Sequence, residues 1–183
     1  MQNRERIRIR TLILCALFAA LSAAGAFIKI PFFPLPLTLQ FFFTTMAGLI
    51  LGAKYGAASV GVYVALGLLG LPVFTQGGGL SYVLMPTFGY LPGFVAAAFV
   101  TGLIAKRKSA PSFIRFFAAG LAGLGVLYLF GISYYFLINR LYFAVEIGAD
   151  VLFWNFFLLP LPGDIVKCLA AAAVANRLRG RLL

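Results

Sequence analysis

Asp164 and Lys167 stand three residues apart in the stretch Leu159-Pro160-Leu161-Pro162-Gly163-Asp164-Ile165-Val166-Lys167-Cys168, two opposite charges in otherwise apolar sequence. Residues at that spacing are neighbours on a helix, so the pair can hold an acceptor and a donor side by side for a polar ligand. It can also be a plain structural ion pair, with the lysine stem carrying its ammonium out to water. If a helix starts at Gly163, Asp164 can instead cap the first-turn N–H groups on its own. Ionisable groups surrounded by hydrocarbon are costly unless paired or solvated, and for that reason they mark sites.

Other chemistry is harder to build from this chain. It has no His and four acids, and Ser22, Ser59, Ser81, Ser109, Ser112 and Ser133 have no general base beside them in sequence, which argues against an intramembrane enzyme with a catalytic set. Cys15 and Cys168 lie far apart in apolar runs and read as packing residues, so no metal site, disulfide or cofactor is expected. No Gly-x-x-x-x-Gly-Lys-[Ser/Thr] run is present, so ATP hydrolysis, if used, belongs to another chain.

The elements that would position the pair are membrane helices. A chain of 183 residues that is 63% hydrophobic and 10% charged has too little polar surface for a soluble globule, and its mean hydropathy is +1.03. With about 20 apolar residues needed per span, the sequence reads as an all-α bundle of six transmembrane helices in one domain, 1–183. The expected spans are 11–30, 38–53, 56–72, 86–105, 112–139 and 151–178, with the sixth interrupted at Pro160 and Pro162 and restarting near Gly163. A cleaved signal peptide is the rival parse of the N-terminus. It would leave five spans and set the Lys106 cluster against the charge rule, so the uncleaved helix is preferred.

With both termini cytoplasmic, twelve of the fifteen cations fall inside: Arg4, Arg6, Arg8, Arg10, Lys54, Lys106, Arg107, Lys108, Arg115, Arg177, Arg179 and Arg181. This basic rim suits anionic membrane lipid and needs no nucleic acid to explain it. The outer side then has three connections, 29–37, 72–90 and 140–150, two of them rich in Pro, Gly and aromatics. Non-helical backbone at that depth is tolerated where it is buried or lines a cavity. Gly77, Gly78 and Gly79 therefore read either as part of a lid or as an ordinary turn.

Several motifs run through nearly the whole chain in order: Ala16 to Ala26, Lys29-Ile30-Pro31, Pro36-Leu37-Thr38-Leu39-Gln40, Ala47 to Gly52, Gly67 to Phe74, Gly77-Gly78-Gly79, Pro86-Thr87-Phe88-Gly89-Tyr90 and Pro162-Gly163-Asp164-Ile165-Val166-Lys167. Together they resemble the BioY family, the biotin-binding S components of energy-coupling factor (ECF) transporters in the prokaryotic cytoplasmic membrane. The segment from Ala110 to Val151 carries the least of this resemblance.

The resemblance implies six helices around a pocket that opens outward under the first and third outer loops. It also implies that Asp164 and Lys167 contact biotin, whose ureido group offers two N–H donors and a carbonyl acceptor. Tyr90, Tyr82, Gln40 and Gln76 with Gly77, Gly78 and Gly79 are the further candidates for the ligand. Ala16, Ala20 and Ala24 recur every four residues, as do Ala19 and Ala23, giving a smooth helix face. Such a face can pack inside the bundle or, as the resemblance implies, dock on a transmembrane coupling subunit that carries two ATPases. The alternatives are an S component of the same fold for another vitamin, a solitary biotin facilitator, which could act as an oligomer, and a purely structural subunit.

Overall fold

The six apolar runs fold as helix in a computed structural model of the chain, which describes residues 2–30, 37–106 and 112–182. Side chains are described from Ile9 to Lys29, Leu37 to Lys106 and Ser112 to Leu178. Residues 31–36 of the first outer connection, and Arg107 and Lys108 of the basic cluster, lie outside the described residues. Helix α1 (Gln2–Phe27) is followed by a two-residue antiparallel ribbon, β1 (Lys29–Ile30) with β2 (Leu37–Thr38), a small departure from the expected all-helical fold. Then come α2 (Gln40–Leu51), α3 (Ala53–Leu68), a short 3-10 helix (Leu80–Leu84), α4 (Tyr90–Ala105) and α5 (Phe113–Leu141). The last run is α6 (Ala149–Val151), a π-helix (Leu152–Leu158) and α7 (Leu161–Leu182).

Among the described residues, three helical stretches are long and apolar enough to cross a membrane: Ile9–Phe27, Phe113–Leu141 and Ala149–Leu178. Gln40–Leu51 and Tyr90–Ala105 are shorter apolar helices. The shortness of α2 has a physical reason. It packs against α1, α3, α4, α5 and α7 and is buried on nearly every face, as an all-round apolar helix must be.

Helix α2 turns directly into α3 at Gly52, whose φ of 80° is open to glycine at no steric cost. The C-terminal end of α2 is closed by Lys106, whose ammonium donates to the Leu51 carbonyl at 3.1 Å, a cation at the negative pole of a helix. At the opposite end of the bundle lie the C-terminus of α1, the β-ribbon, the 70–89 connection and the N-terminus of α7. There α7 begins at Leu161, two residues earlier than expected, because Pro162 falls in the first turn where its missing N–H costs nothing. Pro160 is accommodated by the preceding π-helix, in which Leu159 N–H donates to the Trp154 carbonyl at 3.0 Å.

Candidate functional site

Starting α7 at Leu161 puts Asp164 in its first turn and Lys167 one turn further on, on one face. Asp164 is 5% exposed. One carboxylate oxygen, Oδ1, pairs with the Lys167 ammonium, and the other, Oδ2, accepts from the Tyr128 hydroxyl on α5 at 2.7 Å. Lys167 Nζ also donates to the backbone carbonyl of Thr38, at the end of β2, at 2.9 Å. Both oxygens of Asp164 are thus engaged by side chains of the bundle.

The pair forms one wall of a cavity of roughly 630 Å³, a figure that includes the open space at its mouth. Most of the remaining wall is apolar: Leu37, Phe41, Leu91, Phe94, Leu127 and Pro160. Of the residues singled out in the sequence, Gln40, Tyr82 and Tyr90 line this cavity with Asp164 and Lys167. They differ in what is left to offer. Gln40 is used internally, its Nε2 donating to the Tyr63 hydroxyl at 2.6 Å and its Oε1 accepting from the Thr38 hydroxyl at 3.2 Å. Tyr63 passes the chain on to the Val73 carbonyl at 3.3 Å. The Tyr82 hydroxyl shares a 3.0 Å hydrogen bond with Thr75 Oγ1. Tyr90, 7% exposed at the start of α4, has a buried hydroxyl without a hydrogen-bond partner. Buried polar groups are nearly always paired, so this hydroxyl stands out among the polar groups of the cavity as one with no partner in the chain.

Gln76 and the three glycines lie in the connection beside the cavity rather than in its wall. Gln76 is exposed, and neither it nor Gly77, Gly78 or Gly79 is part of the cavity wall. Gly77 and Gly79 have φ of 112° and 100° and spend their N–H groups inside the connection, on the Phe74 carbonyl at 3.3 Å and the Gly67 carbonyl at 2.7 Å. They shape the loop that closes over the cavity. Its anchor is Phe74, 1% exposed and set edge-on to Tyr63 and tilted against Tyr82. The ring lies directly on the backbone of Gly67, where any Cβ would overlap it. Burying that ring stabilises the loop by about 1.5–3 kcal/mol.

On α1, Phe18, Ala19, Ser22 and Ala26 face the bundle and are buried, whereas Ala16, Ala20 and Ala24 are all exposed. The row of small residues therefore faces away from the chain's own core. Sequence reasoning missed Tyr128, Thr38, Tyr63 and Thr75. Tyr128 shows in the sequence only as a hydroxyl within the apolar run 116–132, with nothing to link it to Asp164, and Thr38 gives no side-chain signal because it meets Lys167 through its backbone carbonyl.

A family model described as the BioY family matches residues 1–183. A protein of Lysinibacillus sphaericus named a probable biotin transporter BioY is 42% identical over 168 residues, 92% of this chain and 86% of that protein. A biotin transporter BioY of Thermotoga maritima is 40% identical over 173 residues, 93% of this chain and 96% of that one. Among solved structures, the S-component for biotin from an ECF-type ABC transporter matches with a TM-score of 0.81 at 29% identity, covering 99% of this chain and 95% of that chain.

Proposed function

The chain belongs to the BioY family, and from that premise we propose that it captures biotin for uptake as the S component of an ECF-type transporter. It is a transporter subunit and not an enzyme. The observation that carries the assignment of the site is the polar inventory of the Asp164–Lys167 wall. A carboxylate has about four acceptor positions and an ammonium three donors. Tyr128 and Lys167 use two of the first, while Asp164 and Thr38 use two of the second. Two acceptors and one donor remain. A ureido group presents two N–H donors and one carbonyl, the matching set, and the Tyr90 hydroxyl is a further donor for that carbonyl's second lone pair. The fused rings and chain of biotin suit the apolar wall formed by Phe41, Leu91, Phe94 and Leu127.

In this reading six helices cross the prokaryotic plasma membrane with both termini cytoplasmic, and the cavity opens outward under the 70–89 connection. The split of charge between the two ends of the bundle supports this orientation: Lys54, Lys106, Arg115 and Arg177 share the end away from the cavity. The exposed row Ala16, Ala20 and Ala24 lets a helix of a transmembrane coupling subunit approach closely, and two ATPases on that subunit supply the energy. Binding of labelled biotin to the purified chain in detergent, competed with riboflavin and thiamine, tests the ligand. Saturable binding displaced by biotin alone is the expected result. Displacement by another vitamin, or no binding by a folded sample, would make this an S component for a different substrate. Uptake assays with and without the coupling module would separate the energised subunit from a solitary facilitator.

A further inference from the structure

The Asp164–Lys167 wall is electrically balanced, so a ligand that carries a carboxylate would bring an unmatched negative charge into the cavity. Lys29 stands where that charge could be met. In the β-ribbon Lys29 is directly opposite Thr38, and directly opposed residues of an antiparallel pair put their side chains on the same face. Leu37 and Thr38 of the ribbon both line the cavity, so Lys29 lies in a strand pair that borders it. Its ammonium ends 3.1 Å from the backbone carbonyl of Thr75, a second wall residue, contributed by the connection that closes over the mouth. Lys29 itself is exposed, at the rim rather than in the floor. The carbonyl it meets is neutral, which leaves further N–H donors on the ammonium. Of the other described cations near this end of the bundle, Lys167 is already paired with Asp164, and Arg140 lies over the ring of Phe136, which is not part of the wall.

We propose that Lys29 receives the carboxylate of the ligand at the cavity mouth and makes the site selective for the free acid over its neutral derivatives. This rests on the biotin reading above: with the ureido group at Asp164 and Lys167, the valeryl chain runs toward the mouth and its carboxylate meets Lys29. The Thr75 hydroxyl, already shared with Tyr82, lies beside the same rim. A carboxylate held there adds to the Lys29–Thr75 contact that already joins the β-ribbon to the 70–89 connection.

The test measures equilibrium binding of biotin and of biotinamide, which differ in charge at one end only, to the wild type, Lys29→Met and Lys29→Arg. The wild type should prefer biotin by roughly fivefold, the scale of an ion pair at a partly solvated rim. In Lys29→Met, biotin should fall to the level of biotinamide, with biotinamide changing little. Lys29→Arg should retain the preference. An equal loss for both ligands in Lys29→Met would assign Lys29 a structural role and overturn the proposal. So would a preference that survives in that variant, or a wild type that does not discriminate. Should the folded wild type bind neither compound, the biotin reading itself fails, an outcome distinct from loss of discrimination alone.

Discussion

Replacing Asp164 by Asn keeps the shape of the side chain and removes its charge. The amide retains one oxygen and gains two N–H donors. The Tyr128 hydroxyl can reverse and accept from the new NH2, leaving the remaining oxygen to face Lys167. In that arrangement one ureido N–H loses its acceptor and meets a donor instead, and the Lys167 ammonium loses its counter-charge. Loss of one charge-assisted hydrogen bond is worth about 1.5–3 kcal/mol, or roughly 10- to 150-fold in Kd. The assay is a titration with labelled biotin in detergent, with thermal unfolding run alongside. Asp164→Asn should also lower Tm, since a partly buried ammonium is left unpaired. The double variant Asp164→Asn/Lys167→Met should recover Tm without recovering binding. Biotin affinity within about threefold of the wild type in a folded Asp164→Asn protein would rule out a ligand contact and return Asp164 to the role of helix cap.

Three other substitutions probe separate parts of the molecule. Tyr90→Phe removes a buried hydroxyl that has no partner without ligand, so Tm of the empty protein should hold or rise while biotin affinity falls by about 1 kcal/mol, near fivefold. A parallel fall in Tm would show that the hydroxyl is satisfied within the protein. Gly67→Ala sets a methyl group into the Phe74 ring; overpacking of this kind costs about 1–3 kcal/mol. It should appear as a lower Tm and faster biotin dissociation, and unchanged values of both would mean the 70–89 connection is not held by that contact. Ala20→Leu, on the exposed row of α1, should leave biotin affinity unchanged and abolish co-purification with the coupling subunit. Retained assembly would remove that face from the interface.

The two charges could be read in the sequence because helical spacing alone puts residues 164 and 167 on one face. Their partners could not, because Tyr128 and Thr38 reach them from α5 and β2 through tertiary packing. A tyrosine in an apolar helix is usually read as a membrane-interface anchor, and only its burial shows otherwise. Gln40 was legible as a polar residue at a helix start, yet its amide is taken up by Tyr63 and Thr38. The conformational freedom of the glycine triplet was legible, and at Gly77 and Gly79 it lets the N–H groups bond within the loop. Helix ends fell within a few residues of expectation except at the start of α1, which begins at Gln2 rather than near residue 11, and near Pro160, where a π-helix carries the chain past a residue that would ordinarily break it. Periodicity could not decide whether the alanine row of α1 faced in or out. The buried row through Ala19, Ser22 and Ala26 settles its orientation by occupying the inner face.

A structure of the chain with biotin bound would decide between these assignments in one step. The polar inventory of the cavity predicts the ureido ring between Asp164 and Lys167, its two N–H groups on the carboxylate, its carbonyl oxygen shared by Lys167 Nζ and the Tyr90 hydroxyl, and the valeryl chain pointing to the mouth. Biotin found with its carboxylate at Lys167, or outside this cavity altogether, would contradict it.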